Sequence, residues 1–182
     1  MTFEEKMTLW AGIAAAVKWV YEYTKRLSWD RNRFLLERIE KFRSMDSTAK
    51  VQTMLDWNGA RVEINGKRVW VDDDILMGAL QTHDVKHDFS AMEVSIRGLF
   101  DEYLDGLSEL VVMSRSGLVD KGNLRLFMSY WIDILAGRRG KKSALSNQFK
   151  RYMLFYGYEE LHDFVMKKTV KEGISNIIRK SE

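Results

Sequence analysis

Three places in the chain carry side chains of the types and spacings that chemistry needs. The run His83-Asp84-Val85-Lys86-His87-Asp88 sets two histidines at i and i+4. On a helix these share one face and, with carboxylates beside them, suit a divalent ion. The run lies just before the helix-capping Ser90 and has no third histidine adjacent, so it reads as a polar connector and no metal is expected. Arg151 and His162 flank Tyr156-Gly157-Tyr158. An arginine beside a histidine can hold a phosphate and move a proton, the minimum for RNA cleavage without a metal. Arg97 and Asp101 stand one helical turn apart, the spacing of a salt bridge facing a polar groove. The pairs Asp72 with Asp73 and Glu159 with Glu160 are favourable helix N-terminal charges. Nucleophile elbows, phosphate-cradling glycine loops and cysteine metal clusters are absent, and no cofactor is expected.

The elements that must position these residues are almost wholly helical. The 182 residues include no proline, which permits long helices, and no cysteine, which suits a reducing compartment. Leu27, Phe34, Leu35, Ile39 and Phe42 recur at helical spacing and predict one helix over 3–43. Asp46 or Ser47 then caps a shorter helix containing Val51, Met54 and Leu55. The segments 61–64 and 67–71 around Asn65-Gly66 read as a hairpin, because Asn-Gly fits the positive φ angles of a type I′ turn. Residues 72–74 cap a helix through Leu80. Ser90 and Glu93 form a capping box for a long apolar stripe through Ile96, Phe100, Tyr103, Leu104, Leu107 and Val111, ended by Gly117. Helices at 124–136, 143–156 and 158–169, the last two hinged at Gly157, complete five or six, with an amphipathic tail beyond Gly173. The expected fold class is all-α: a helical bundle with one small β-hairpin insertion at 61–71, continuous with an N-terminal membrane helix.

That N-terminal helix has a distinct composition. Residues 7–17 carry no charge; Lys18 interrupts, and Trp19, Val20 and Tyr21 continue. The run 7–21 spans about 22 Å, against a hydrocarbon thickness of about 30 Å. Trp10 at one end and Trp19, Tyr21 and Tyr23 at the other are placed like interfacial aromatics, and Lys18 can snorkel toward water. Glu4 and Glu5 precede the run, while Lys25, Arg26, Arg31 and Arg33 come after it. The expectation is a membrane-anchoring helix at 1–26 and a helical domain at 27–182. It places the N-terminus outside, the domain in the cytoplasm at the inner membrane, and the four basic residues as a collar on lipid. An ordinary packed helix is the rival reading. Thr8, Ala11, Ala15, Lys18 and Glu22 share a face that would line the wet interior of a ring of helices, and Gly12 with Ala16 would let copies approach closely. Those features predict a homo-oligomer.

Net charge is only +3, but the positive charge is gathered. Arg138, Arg139, Lys141 and Lys142 form a short basic loop, and Lys167, Lys168, Lys171, Arg179 and Lys180 load the C-terminal end. Such patches meet phosphates of nucleic acid or lipid, or are solvated helix ends.

The segments Met54-Leu55-Asp56-Trp57-Asn58-Gly59, Ile96-Arg97-Gly98-Leu99-Phe100-Asp101, Gly117-Leu118 through Tyr130-Trp131-Ile132, and Phe155-Tyr156-Gly157-Tyr158 resemble a group of small bacterial proteins with a short N-terminal membrane helix before a helical domain. Within that group the chain resembles the membrane accessory proteins of type VI-B CRISPR systems, which carry a divergent HEPN-like domain. The resemblance implies a homo-oligomeric membrane pore that strengthens RNA-targeting antiphage defence, with an RNA-guided RNase system or RNA as partner. Active HEPN ribonucleases show an Arg, then four to six residues, then a His; read forward from every arginine here, that spacing never occurs. The resemblance therefore implies a structural or repurposed bundle more than an enzyme. The expected functions are thus a pore, a membrane-tethered RNA-cleaving or RNA-binding domain using Arg151 and His162, and a non-catalytic membrane adaptor.

Overall fold

The computed structural model of the chain describes residues 2–139 and 143–167. Lys141, Lys142, Lys168, Lys171, Arg179, Lys180 and the expected amphipathic tail lie outside the described residues. In a chain without proline, α1 (Phe3–Ser44) runs unbroken for 42 residues, close to the expected span. It is followed by α2 (Asp46–Asp56), the strands β1 (Gly59–Ile64) and β2 (Lys67–Asp72), α3 (Asp73–Ala79) and the long α4 (Ala91–Arg115). The short helices α5 (Lys121–Phe127) and α6 (Ser129–Leu135), then α7 (Ser143–Phe155) and α8 (Glu159–Met166), complete the order.

Local chemistry explains most of these boundaries. Asn65 (φ 51°) and Gly66 (φ 73°) make the two-residue turn that pairs β1 with β2 antiparallel, Val62 facing Val69. The turn docks on α4 through Asn65 Nδ2, which donates to Ser95 Oγ at 2.7 Å. The Asp72 carboxylate caps α3 by accepting from the Ile75 amide at 3.0 Å. At α4 the capping box forms in full: Ser90 Oγ accepts from the Glu93 amide, and the Glu93 carboxylate accepts from the Ser90 amide at 2.9 Å. Two expectations need correction. Met45, not Asp46 or Ser47, stands at the α2 N-cap, and Asp46 instead pairs with Lys50 at 2.6 Å. The single helix expected across 124–136 is two, because Met128 (φ −104°, ψ 7°) leaves helical geometry.

The core is built around α4, against which α1, α2, α3, α5, α8 and the hairpin pack. Ile96, Phe100, Tyr103, Leu104, Leu107 and Val111 are buried along it. The Phe100 and Phe149 rings stack at 5.6 Å, and Phe42 meets Tyr103 at 5.4 Å. Gly106 lets α1 come this close: a Cβ there would lie 2.7 Å from the Phe42 ring. Val62, Ile64 and Val71 turn one face of the hairpin into the same core. An all-α bundle with a small hairpin insertion is thus the architecture.

The membrane part of the expected fold is corrected. No described helix is long and apolar enough to cross a membrane. Helix α1 has the length but not the apolar content. Its uncharged run 7–17 would cover about 17 Å of the roughly 30 Å required, and Lys18 and Glu22 interrupt the residues beyond it. The anchor at 1–26, the inner-membrane location with its N-terminus outside, and membrane lipid as a partner rested on that span and fall with it.

Candidate functional site

The N-terminal part of α1 leaves the bundle as an arm. The described side chains from Phe3 to Arg31 are all exposed, and full burial begins at Leu35, which is 0% accessible. At the foot of the arm, Asn123 Nδ2 at the start of α5 donates to Asn32 Oδ1 at 2.6 Å. The arm is about 43 Å long. Trp10 is 67% exposed and Trp29 70%, and Phe3, Met7, Ile13, Val17, Trp19, Val20, Tyr21, Tyr23 and Leu27 are exposed with them. The five Trp and Tyr side chains alone present on the order of 600 Å² of aromatic surface, more than an isolated domain usually leaves bare.

The arm's polar groups occupy one narrow face. Lys18 and Glu22, one turn apart, pair at 3.9 Å and are the only charges between Met7 and Tyr23. At about 100° per residue, Thr8, Ala11 and Ala15 fall on the same strip, while Trp10, Ile13, Val17 and Val20 fall on the opposite side. Trp19 stacks on Tyr23 at 5.6 Å. Trp10 and Leu35 are about seven turns apart and share a face, as do Val17 and Phe42. The face that α4 covers in the bundle is interrupted by Thr24, Ser28 and Arg31 and is apolar again, uncovered, at Trp10, Ile13, Val17 and Val20. Of the collar, Arg33 pairs with Glu37 at 3.1 Å, whereas Lys25, Arg26 and Arg31 have no acidic partner among the described residues.

A second cluster lies where the connector 80–90 crosses α4 and α7. Arg97 is only 7% exposed, yet it does not pair with Asp101 as its spacing suggested. Its guanidinium donates to the Ala79 and Gln81 carbonyls at 2.9 and 2.6 Å, closing the open end of α3, and to Tyr156 Oη at 2.5 Å. The Phe89, Tyr152 and Tyr156 rings surround it at 4.4 to 5.2 Å, so a buried cation is held by carbonyls and aromatic faces. His83 Nδ1 lies 2.5 Å from Tyr156 Oη. Asp101 instead accepts from Tyr152 Oη at 2.6 Å; burial raises its carboxyl above the ordinary range, against that hydrogen bond and the charge of Arg97. Arg151 binds Asp84 at 2.6 Å, and Thr82 first and Arg151 next hold the Asp84 carboxyl below its ordinary range.

These contacts place the remaining candidates. Arg151 is committed to Asp84, and His162 lies 3.5 Å from Asp163 on α8. No described hydrogen bond or ion pair joins Arg151 to His162. His83 turns to Tyr156, and His87 stands exposed in the same connector. No three His, Asp or Glu side chains gather as a metal site among the described residues. The Arg97–His83–Tyr156 cluster escaped the sequence reading because its members are up to 73 residues apart, and because the spacing of Arg97 to Asp101 pointed to a different partner.

No family model, curated protein or solved structure matches the chain. The expected kinship with type VI-B CRISPR accessory proteins and HEPN-like domains is corrected accordingly: of the residues in the segments that suggested it, Ile96 and Phe100 are buried in the core while Trp57, Leu118 and Phe155 stand exposed. Antiphage defence, an RNA-guided RNase or RNA as partner, and the RNA-cleaving reading go with that kinship. The pore, its homo-oligomer and the membrane adaptor go with the missing span.

Proposed function

We propose that this chain is a non-enzymatic docking protein: a folded helical base that holds out the arm of α1 for another protein to cover. The observation that carries this reading is the run of exposed Trp, Tyr, Val and Ile side chains on 3–31, which α4 and the rest of the bundle do not cover. Helices with apolar side chains on most faces are stable when buried, and laying such a helix into a groove of a second protein is a recurring mode of recognition. The base supports the reading in its own way. Its buried arginine, its histidine–tyrosine contact and the Arg151–Asp84 pair tie the 80–90 connector down, work that occupies their hydrogen-bonding groups.

The test is photo-crosslinking in cells with the full-length chain carrying p-benzoylphenylalanine in place of Val17. A single adduct with a different protein is expected, lost when Trp10→Asp and Val20→Asp are added. No adduct, an adduct with a second copy, or one with phospholipid overturns the reading.

A further inference from the structure

The cluster that ties the 80–90 connector to the base contains a group that a proton would convert from an acceptor into a donor. We infer that His83, Tyr156 and Arg97 form a proton-sensitive latch: neutral His83 holds the connector against α4 and the turn after α7, and protonated His83 lets it go.

The state of His83 follows from the direction of each hydrogen bond. Arg97 Nη2 donates to Tyr156 Oη at 2.5 Å, and a guanidinium has no lone pair with which to accept. The phenol has one proton of its own, and its other hydrogen-bond contact among the described residues is His83 Nδ1, also at 2.5 Å. Arg97 Nη2 lies 3.4 Å from that same nitrogen. Both neighbours thus offer protons to Nδ1, so Nδ1 carries the lone pair and the ring proton sits on Nε2. Protonation reverses this fit. An Nδ1–H would point at an oxygen already accepting from Arg97, and a second cation would stand beside a guanidinium that is only 7% exposed. Two like charges that close, one of them shielded from water, repel. His83 itself is exposed, so a proton reaches it without unfolding and its ring can turn away into solvent.

The carboxylates around the latch are engaged elsewhere. Asp84, next to His83 in the connector, binds Arg151 of α7 at 2.6 Å. Glu93 of α4 binds Lys86 at 2.5 Å, and Asp101 of α4 accepts from Tyr152 Oη at 2.6 Å. His87 and Asp88 stand exposed further along the connector. No carboxylate among the described residues pairs with His83; its ring meets those of Phe89 at 5.3 Å and Tyr156 at 5.9 Å. Release is local, because Arg97 keeps the Ala79 and Gln81 carbonyls and Lys86 keeps Glu93. Between those anchors the backbone is held by one turn, the Val85 and Lys86 amides on the Thr82 carbonyl at 2.9 and 3.1 Å. The half-exposed Arg151–Asp84 pair remains across to α7 and is a weak tie by itself.

The experiment uses the full-length chain. Long-range proton–nitrogen NMR of the histidine rings at about pH 7.5 is expected to show His83 bare at Nδ1 and protonated at Nε2. A protonated Nδ1 would overturn the latch. Hydrogen exchange of the Val85 and Lys86 amides, corrected for the intrinsic effect of pH, is expected to lose at least about tenfold in protection between about pH 7.5 and about pH 5.5, while residues 96–111 keep theirs. No loss, or an equal loss along 96–111, would overturn it. His83→Gln keeps an acceptor and takes up no proton, so it is expected to abolish the dependence, whereas His87→Gln and His162→Gln leave it in place. A dependence that survives His83→Gln, or that disappears with either control, would assign the titration to another group, such as Asp101 behind Tyr152, and overturn the latch. Tyr156→Phe removes the shared hydroxyl and is expected to give low protection at both pH values; protection equal to that of the unaltered chain at about pH 7.5 would also overturn it.

Discussion

The two halves of α1 have the same secondary structure and similar side chains, yet their situations are opposite. In residues 35–44 the stripe of Leu35, Ile39 and Phe42 is closed by α4, with Gly106 clearing the way for the Phe42 ring. In residues 3–31 the same face, after Thr24, Ser28 and Arg31 interrupt it, is apolar again at Trp10, Ile13, Val17 and Val20, and nothing among the described residues covers it. The contrast teaches that an apolar stripe records only that a surface is to be buried. In one half the rest of the chain buries it; in the other, on the docking proposal, another protein does. It also explains why the apolar run, its terminal aromatics and its flanking charges suggested a membrane span: the arm is largely apolar but too charged and too short in its uncharged run to cross a bilayer.

Substitutions that treat the two halves alike should have unlike effects. Phe42→Ala is expected to lower the unfolding free energy by about 3–5 kcal/mol, while Trp10→Ala changes it by less than about 0.5 kcal/mol; urea unfolding of the full chain measures both. Comparable losses would mean that the arm packs on the base. In the base itself, Arg97→Ala strips the Ala79 and Gln81 carbonyls and Tyr156 of their donor and should cost about 2–3 kcal/mol, with Arg97→Lys recovering part of it because a lysine lacks the forked donors. Glycines give a comparison of sign. A Cβ at Gly12 meets nothing within 4 Å, so Gly12→Ala should raise helicity by circular dichroism, a gain of about 0.5–1 kcal/mol; Gly106→Ala meets Phe42 at 2.7 Å and should lower stability by about 1 kcal/mol.

An effect of about the size of the glycine changes is expected from pH. Lys86 first, then the Ser90 amide, holds the Glu93 carboxyl below its ordinary value of 4.5. Its stabilisation is present above that value and is lost as pH falls through the lowered folded value. Asp101 has the opposite sign: burial raises its folded value, so its contribution is present below the ordinary 3.8 and is lost as pH rises through the raised one. Glu93→Gln should therefore lower stability by about 1 kcal/mol at neutral pH and flatten the acid-side loss, whereas Asp101→Asn should steepen that loss. Unfolding curves between about pH 3 and pH 7 separate the two.

Much of the base was legible because its signals are local. Asn65-Gly66 announces its turn, Asp72 its cap, and Ser90 with Glu93 their box, each within four residues. The polar cluster was not legible. The spacing of Arg97 and Asp101 suggested each other, but tertiary packing gave Arg97 to the end of α3 and to Tyr156, and gave Asp101 to Tyr152 from 51 residues away. The break at Met128 was equally hidden, since its periodicity matches that of a continuous helix. In the arm the periodicity was read correctly but its cover was not, and the strip of Thr8, Ala11, Ala15, Lys18 and Glu22, expected to face a pore, is better accounted for as the side that stays in water.

Hydrogen exchange on the purified full-length chain tests the contrast most directly. Amides of residues 8–30 are expected to exchange at least about 100-fold faster than those of 36–42 and 96–111, because the arm opens locally without unfolding the base. Equal protection along the whole of α1 would contradict the claim that half of this helix is left uncovered for another protein.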